Sequence, residues 1–103
     1  MTIEEIKEEI SAIEKMFKGD INPADHEHLY AIKEAYMKAL TALTTEPGAA
    51  VMKIKEFMGE REDAYALAND DDKATIDAEA AVYGTVLQNG NYGDPLEEYR
   101  ECF

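Results

Sequence analysis

Apolar residues recur along the chain in steps of three and four, the spacing of one face of an α-helix. The first such stripe lies within residues 2–18, where Thr2 and Glu5 stand in the order of a capping box and Gly19 follows as a stop signal. Few bases flank this helix. We expect it either to pack across the other helices or to contact a second copy of the chain. The residues of this isoleucine stripe are Ile3, Ile6, Ile10, Ile13 and Phe17.

Three further stripes predict helices over residues 23–44, 47–68 and 71–88, and no segment shows the alternation typical of a strand. The short connections between them favour antiparallel neighbours. Residues 89–103 are rich in turn formers and are predicted to form a short irregular tail that ends in one helical turn at most. The sequence therefore predicts an all-α fold, a small antiparallel bundle of about four helices in one domain over residues 1–103.

Cap residues set the expected starts of the second and third helices. Asn22 is a good N-cap and Pro23 suits the first helical turn. Thr45, two residues before Pro47, is the expected N-cap of the third helix. The core stripe of that third helix is predicted to contain Val51, Ile54, Met58, Arg61, Tyr65 and Ala68.

The charge of the chain restricts its partners more than any motif does. There are 23 Asp and Glu against 10 Lys and Arg, a net charge of −13. Residues 1–55 hold ten acids and seven bases, whereas residues 56–103 hold thirteen acids and three bases. A surface this negative repels nucleic acids and anionic membranes and attracts basic proteins. We therefore expect neither direct nucleic-acid binding nor membrane binding.

Location and redox state follow from simple features of the sequence. The chain has no apolar run long enough for a membrane span, and its first residues are acidic where a secretion signal is basic. A cytoplasmic location is the expectation. The single cysteine, Cys102, excludes a disulfide within the chain.

Residues 69–79, NDDDKATIDAE, contain three consecutive aspartates followed by two further acids. A calcium loop of the helix–loop–helix type needs oxygen ligands at alternate positions, a turn glycine at position 6 and a bidentate acid at position 12. Counted from Asp70, position 5 is Ala74, position 6 is Thr75 and position 12 is Ala81. None of these residues is the one that a calcium loop needs at its position. The pattern therefore does not predict a calcium site.

A helix start explains this run better than a calcium loop. Asn69, Asp70, Asp71 and Asp72 are each able to cap a helix, and carboxylates in a first turn favour the positive end of the helix dipole. Capping needs only one or two of them, and three adjacent aspartates repel one another. The surplus charge keeps a functional interpretation open. The sequence also leaves open whether residues 60–88 form one helix or two.

Catalytic motifs have little support. All-helical pyrophosphohydrolases of the MazG and dUTPase-like kind hold magnesium through Glu-x-x-Glu and, one helix later, Glu-x-x-Asp. Residues 5–8 and 60–63 resemble these spacings, but about fifty residues separate them. His26 and His28 are two apart, so they point to different faces of a helix and do not converge on a metal. We predict no enzyme, cofactor or metal site, with a Mg²⁺-dependent nucleotide hydrolase as the enzyme alternative.

These observations favour an acidic protein-interaction domain that binds a basic surface on another protein, for example on a nucleic-acid-binding protein. The chain resembles the anti-restriction and CRISPR-inhibiting proteins of phages in small size, acidity and lack of an active-site motif. That resemblance implies nucleic-acid mimicry, in which carboxylates on a rigid helical frame occupy a groove meant for phosphates. The expected partner-binding residues are Glu60, Glu62, Asp63, Asp70, Asp71, Asp72, Asp77 and Glu79.

Two tyrosines and the isoleucine stripe complete the candidate contacts. Tyr92 and Tyr99 lie among acids near the end of the chain, where each is either an interface anchor or folded back onto the core. The alternative function is a structural helix bundle, with a homodimer formed through the isoleucine stripe. In that case the acidic surface only secures solubility.

Overall fold

The computed structural model describes residues 1–87 and 94–100, and within these ranges it contains helices and no β-strand, which confirms the all-α prediction. Four helices are long, and the fifth is a single turn in the segment predicted to be an irregular tail. In chain order they are α1 (Ile3–Phe17), α2 (Pro23–Thr45), α3 (Ala50–Tyr65), α4 (Asp70–Val86) and α5 (Glu97–Arg100).

The predicted caps of α1 and α2 are confirmed. The Thr2 hydroxyl accepts from the Glu5 amide at 3.1 Å, and the Glu5 carboxylate accepts from the Thr2 amide at 3.0 Å, which completes the capping box. These hydrogen bonds lower the pKa of Glu5, the bond from the Thr2 backbone having the largest effect. Asn22 caps α2 by accepting from the Asp25 amide at 2.9 Å, with Pro23 in the first turn.

The start of α3 differs from the prediction. Thr45 does not cap α3, because it is the last residue of α2 and its hydroxyl donates to the Thr41 carbonyl at 2.7 Å. Ala49 takes the N-cap position and provides no side-chain hydrogen bond. Val51, expected on the core stripe, is exposed near this uncapped start, whereas Ile54 behind it is fully buried.

Helices adjacent in sequence are antiparallel, as their side-chain pairs show. Between α3 and α4, the residue number rises on one helix as it falls on the other: Phe57 with Tyr83, Arg61 with Glu79, and Tyr65 with Lys73. The pairs between α1 and α2 follow the same order: Phe17 with His26, and Glu14 with Lys33. The predicted antiparallel arrangement is therefore confirmed for these two pairs.

Helix α2 lies at the centre of the bundle. It packs against α1 on one side and against α3 and α4 on the other, and α3 and α4 form the most extensive contact. The two largest fully buried side chains are Tyr36 of α2 and Tyr83 of α4. Burial raises the pKa of both hydroxyls, that of Tyr83 to about 12, because the phenolate loses its hydration in the core. Tyr36 and Tyr83 thus act as packing residues.

The isoleucine stripe of α1 is covered by its own chain. Ile6 and Ile13 are fully buried, Ile10 and Phe17 pack against the core, and Ile3 is partly exposed. Two roles were expected for this stripe, packing on the other helices or contact with a second copy of the chain. The structure shows the stripe packed on its own chain. Ile6 and Ile13 therefore present no surface for a second copy of the chain.

The segment 94–100 is attached to the core and to α1. Leu96 is fully buried, and Arg100 forms ion pairs with Asp94 and with Glu9 of α1. Burial would raise the pKa of Asp94, but hydrogen bonds from the Arg100 side chain and the Leu96 amide outweigh it and lower the pKa. Hydrogen bonding to Asp94 likewise raises the pKa of Arg100. The single helical turn expected at most in this tail is therefore present as α5.

A membrane-spanning helix must be both long and apolar. Among residues 1–87 and 94–100, no helix has both the length and the apolar character needed to cross a bilayer.

Candidate acidic interaction surface

All eight acids named from the sequence belong to one hairpin, formed by the second half of α3, a short connection and the first half of α4. We call residues 60–79 the acidic tip. Besides the eight acids it contains two bases, Arg61 and Lys73. Because α3 and α4 are antiparallel, the end of α3 and the start of α4 lie at the same end of the bundle.

The connection at the acidic tip separates two helices. After α3 ends at Tyr65, the Leu67 amide donates to the Ala64 carbonyl at 3.2 Å, which tightens the last turn. Asn69 then caps α4, its side chain accepting from the Asp72 amide at 2.9 Å. The cap explains why residues 60–88 do not continue as one helix, since the N-cap residue has extended rather than helical backbone angles.

Asp70, Asp71 and Asp72 occupy the first turn of α4, and all three are exposed. Carboxylates there interact favourably with the positive end of the helix dipole, by about 0.3–1 kcal/mol each for exposed groups. The helix start predicted for this run is confirmed. Stabilisation of α4 is therefore one sufficient reason for these three acids.

The acids of α3 have no such structural reason. Glu62 and Asp63 lie in the last turn of α3 and Glu60 just before it, and that turn contains no base. Negative charge at a helix C-terminus opposes the dipole and destabilises the helix. All three side chains are exposed, and none forms an ion pair with the described part of the chain. Their charge is therefore a cost to the isolated fold.

Arg61 and Glu79 form the centre of the acidic tip. The Arg61 guanidinium is 3.9 Å from the Glu79 carboxylate, across the contact between α3 and α4. Burial raises the pKa of Glu79, and the nearby charges of Arg61 and Lys38 only partly offset that effect. Glu79 is thus the acid of the tip whose charge is held inside the fold rather than presented to solvent.

Two cavities flank this central pair, and different acids of the tip line each of them. Glu62 and Asp77 line a small cavity of about 170 Å³ on one side of the hairpin. Asp72 and Glu79 line a larger one, of about 470 Å³, on the other. Arg61 borders both. The carboxylates therefore surround the tip instead of sharing a single face.

The structure also exposes two apolar side chains at the tip. Tyr65 is 42% exposed, and Lys73 stands over its ring at 5.3 Å, so this tyrosine is not the core residue that the stripe predicted. Leu67, in the connection, is 93% exposed and was missed from the sequence. Its signal was its position, because it falls between Tyr65 and Ala68 and so lies off the core stripe. A singly exposed leucine is normal on a protein surface, so the significance of Leu67 depends on the groove and the carboxylates beside it.

The two tyrosines proposed as anchors have different outcomes. Tyr92 lies outside the described residues. Tyr99 is partly exposed and packs against the core, with its ring centre 6.0 Å from that of His28. His28 in turn has its Nδ1 3.4 Å from the Thr75 hydroxyl of α4, so Tyr99 is separated from the acidic tip by one residue. The fold thus brings Tyr99 to the edge of the candidate surface.

The acids and histidines of the described residues do not cluster as metal ligands. Residues 1–87 and 94–100 contain no group of three or more His, Cys, Asp or Glu side chains placed to hold one ion. Asp70, Asp71 and Asp72 point outward from successive positions of one helical turn, about 100° apart, so they do not converge. The geometry of the tip is suited to long-range attraction of cationic groups rather than to coordination.

Comparison with known proteins identifies no relative for this arrangement. No protein-family model matches the chain, and the searches of curated proteins and of solved structures give no significant match.

Proposed function

We propose that this protein is an acidic protein-binding module whose acidic tip docks on a basic surface of a partner protein. The supporting observation is the set of exposed carboxylates at the end of α3, which oppose the dipole of their own helix and form no ion pair with the described part of the chain. Exposed carboxylates that form no ion pair within the fold are expected to interact with charged groups of other molecules. A partner rich in lysine and arginine would be attracted and steered by this field.

The sharper form of this proposal is mimicry of a nucleic acid. The carboxylates stand on two helices that pack closely together, so their spacing is fixed by the fold. A rigid array of negative charges suits a protein groove that binds phosphates, whereas a nucleic acid itself would be repelled. The partner would then be a nucleic-acid-binding protein, and binding would inhibit it by occupying its groove.

The test is charge reversal at the end of α3, with Glu60→Lys, Glu62→Lys and Asp63→Lys combined. Lysines near a helix C-terminus favour the dipole, so the variant is expected to keep or gain helix stability. We expect it to lose at least about tenfold in affinity for the natural partner, captured from the native host and identified by mass spectrometry. Circular dichroism checks the fold, and titration calorimetry with the purified partner measures the affinity.

A matched control reverses three exposed acids toward the opposite end of the bundle: Glu4, Glu8 and Glu46. It has the same net charge as the tip variant, so it separates the position of the charge from its total. Equal affinity loss in both variants would reduce the proposal to a general effect of net charge. Unchanged affinity in the tip variant would refute the acidic tip as the binding surface.

Mimicry has its own readout. If the partner binds DNA or RNA, the wild-type protein should compete with the nucleic acid for it, and the tip variant should not. Simultaneous binding of the nucleic acid and this protein would contradict mimicry while leaving the basic-surface proposal in place. A homodimer through the isoleucine stripe has less support, because Ile6 and Ile13 are already buried within their own chain.

A further inference from the structure

Leu67 is placed where folding does not require an apolar side chain. It lies in the connection between α3 and α4 with 93% of its surface exposed, next to the exposed Ala66. Burying a leucine is favourable by roughly 1.5–3 kcal/mol, and this chain does not obtain that energy from Leu67 in its own fold. The energy is available for a contact with another molecule.

A groove begins beside this leucine. The larger of the two tip cavities, about 470 Å³, is lined on its apolar side by Ala64, Leu67, Ala68 and Ile76. Its other side is formed by side chains that include Asp72 and Glu79, with Arg61 held near Glu79. Arg61 and Glu79 pair with each other, so the unpaired charge of the groove is Asp72, which follows the exposed Asp70 and Asp71. An apolar floor beside these carboxylates is complementary to a ligand that presents leucine-like side chains on one face and cations beside them.

From this complementarity we infer that the groove beside Leu67 binds a basic amphipathic helix of the partner protein. The inference rests on the proposed function and specifies the part of the partner that docks. A helix lays its apolar residues into a groove at spacings of three and four, and its lysines or arginines flank that face. The flanking cations would meet Asp72 and the neighbouring aspartates of the first turn of α4.

A second copy of this chain is a poorer occupant of the groove. Its own tip carries eight acids and two bases, so two tips brought together would repel each other. A bare cationic chain is also a poorer ligand, because it leaves the exposed Leu67 without an apolar partner. The combination of apolar face and cations is what distinguishes the inferred ligand.

The test uses a designed peptide as the probe. A fluorescent peptide of leucine and lysine at helical spacing, roughly 18 residues or five turns long, presents the required apolar face and flanking cations. We expect it to bind the wild-type protein and to bind Leu67→Ala about tenfold more weakly, measured by fluorescence anisotropy. Leu67→Ala should keep the wild-type melting temperature, because the side chain is almost wholly exposed.

Two controls isolate the groove. Met52→Ala removes a 68% exposed apolar side chain near the start of α3, away from the tip, and should change the affinity by less than about twofold. A scrambled peptide of the same composition keeps the charge but loses the apolar face, and its binding should not depend on Leu67. Equal weakening by Leu67→Ala and Met52→Ala would overturn the inference.

The outcomes also separate this inference from the proposed function. If reversal of Glu60, Glu62 and Asp63 abolishes capture of the natural partner but Leu67→Ala has no effect on the peptide, the acidic surface stands and the groove fails. If Leu67→Ala weakens peptide binding but the reversal variant still captures the partner, the groove stands as a helix-binding site and the proposed function fails. Self-association that Leu67→Ala removes, measured by sedimentation, would assign the groove to a second copy and overturn the inference.

Discussion

Helix α1 and the acidic tip use the same residue types in opposite ways. Four of the five acids of α1 have a structural partner: Glu4 pairs with Lys7, Glu5 completes the capping box, Glu9 pairs with Arg100, and Glu14 pairs with Lys33. In the acidic tip, Glu79 is the one acid that forms an ion pair within the described part of the chain. The two regions thus differ in whether their acids form ion pairs or capping hydrogen bonds that stabilise the fold.

The apolar residues show the same contrast. Ile6 and Ile13 of α1 have no exposed surface, whereas Leu67 of the tip is 93% exposed. Acidity and apolar content alone therefore do not identify an interaction surface. The informative feature is the coincidence, at one end of the bundle, of exposed carboxylates that form no ion pair within the described part of the chain and an apolar side chain that is not buried.

The largest expected effect tests the apolar half of the comparison. Ile13→Ala removes a fully buried side chain that packs against α2 and should lower the free energy of unfolding by about 2–5 kcal/mol. Leu67→Ala should change it by less than about 0.5 kcal/mol. Urea denaturation followed by circular dichroism measures both. Similar losses in the two variants would mean that Leu67 is part of the core.

An intermediate effect tests the acids. Arg100→Gln removes the ion pairs to Glu9 and Asp94 and should lower the free energy of unfolding by no more than about 1 kcal/mol, since these groups are partly exposed to solvent. Glu60→Gln, which removes an unpaired acid of the tip, should cause no loss. Denaturant titrations at neutral pH compare the two variants, and a comparable loss in Glu60→Gln would contradict the contrast.

The effect of Arg100→Gln should also depend on pH in a defined direction. The folded-state pKa of Asp94 is lower than its ordinary value of 3.8, so its ion pair contributes stability above that value. The contribution is lost as the pH falls through the folded-state pKa. The difference between wild type and Arg100→Gln should therefore shrink below about pH 4. A difference that grows on acidification would show that Asp94 is not the group responsible.

The smallest expected effect concerns Glu79, which belongs to the acidic tip but forms an ion pair within the fold, as the acids of α1 do. Burial raises its pKa, so its charged form is disfavoured in the folded protein and destabilises it at neutral pH. Glu79→Gln should therefore raise the free energy of unfolding by about 0.5 kcal/mol at pH 7, and the gain should disappear as the pH falls and wild-type Glu79 becomes protonated. A loss of stability at pH 7 would mean that the pair with Arg61 outweighs burial.

Features that depend on neighbours in sequence were predictable. The four long helices, the capping box of Thr2 and Glu5, the Asn22 cap and the helix start at residues 69–72 all arise from hydrogen bonds and apolar spacings within a few residues. The candidate surface was named from the sequence for a similar reason. Its eight acids lie within 20 consecutive residues, so a short hairpin keeps them together.

Features that depend on which helices meet were not predictable. Leu96 and Leu67 are both leucines that belong to no predicted core stripe, yet the first is fully buried by the core and the second is exposed in the α3–α4 connection. Glu9 and Glu60 are both helical glutamates, yet Glu9 meets Arg100, 91 residues away, and Glu60 meets no base in the described part of the chain. Helix formation is set by local contacts, so the sequence alone determined the helices and the concentration of charge. Burial and ion pairing depend on long-range contacts, so only the tertiary structure decided which acids and which leucines the fold uses and which it leaves exposed.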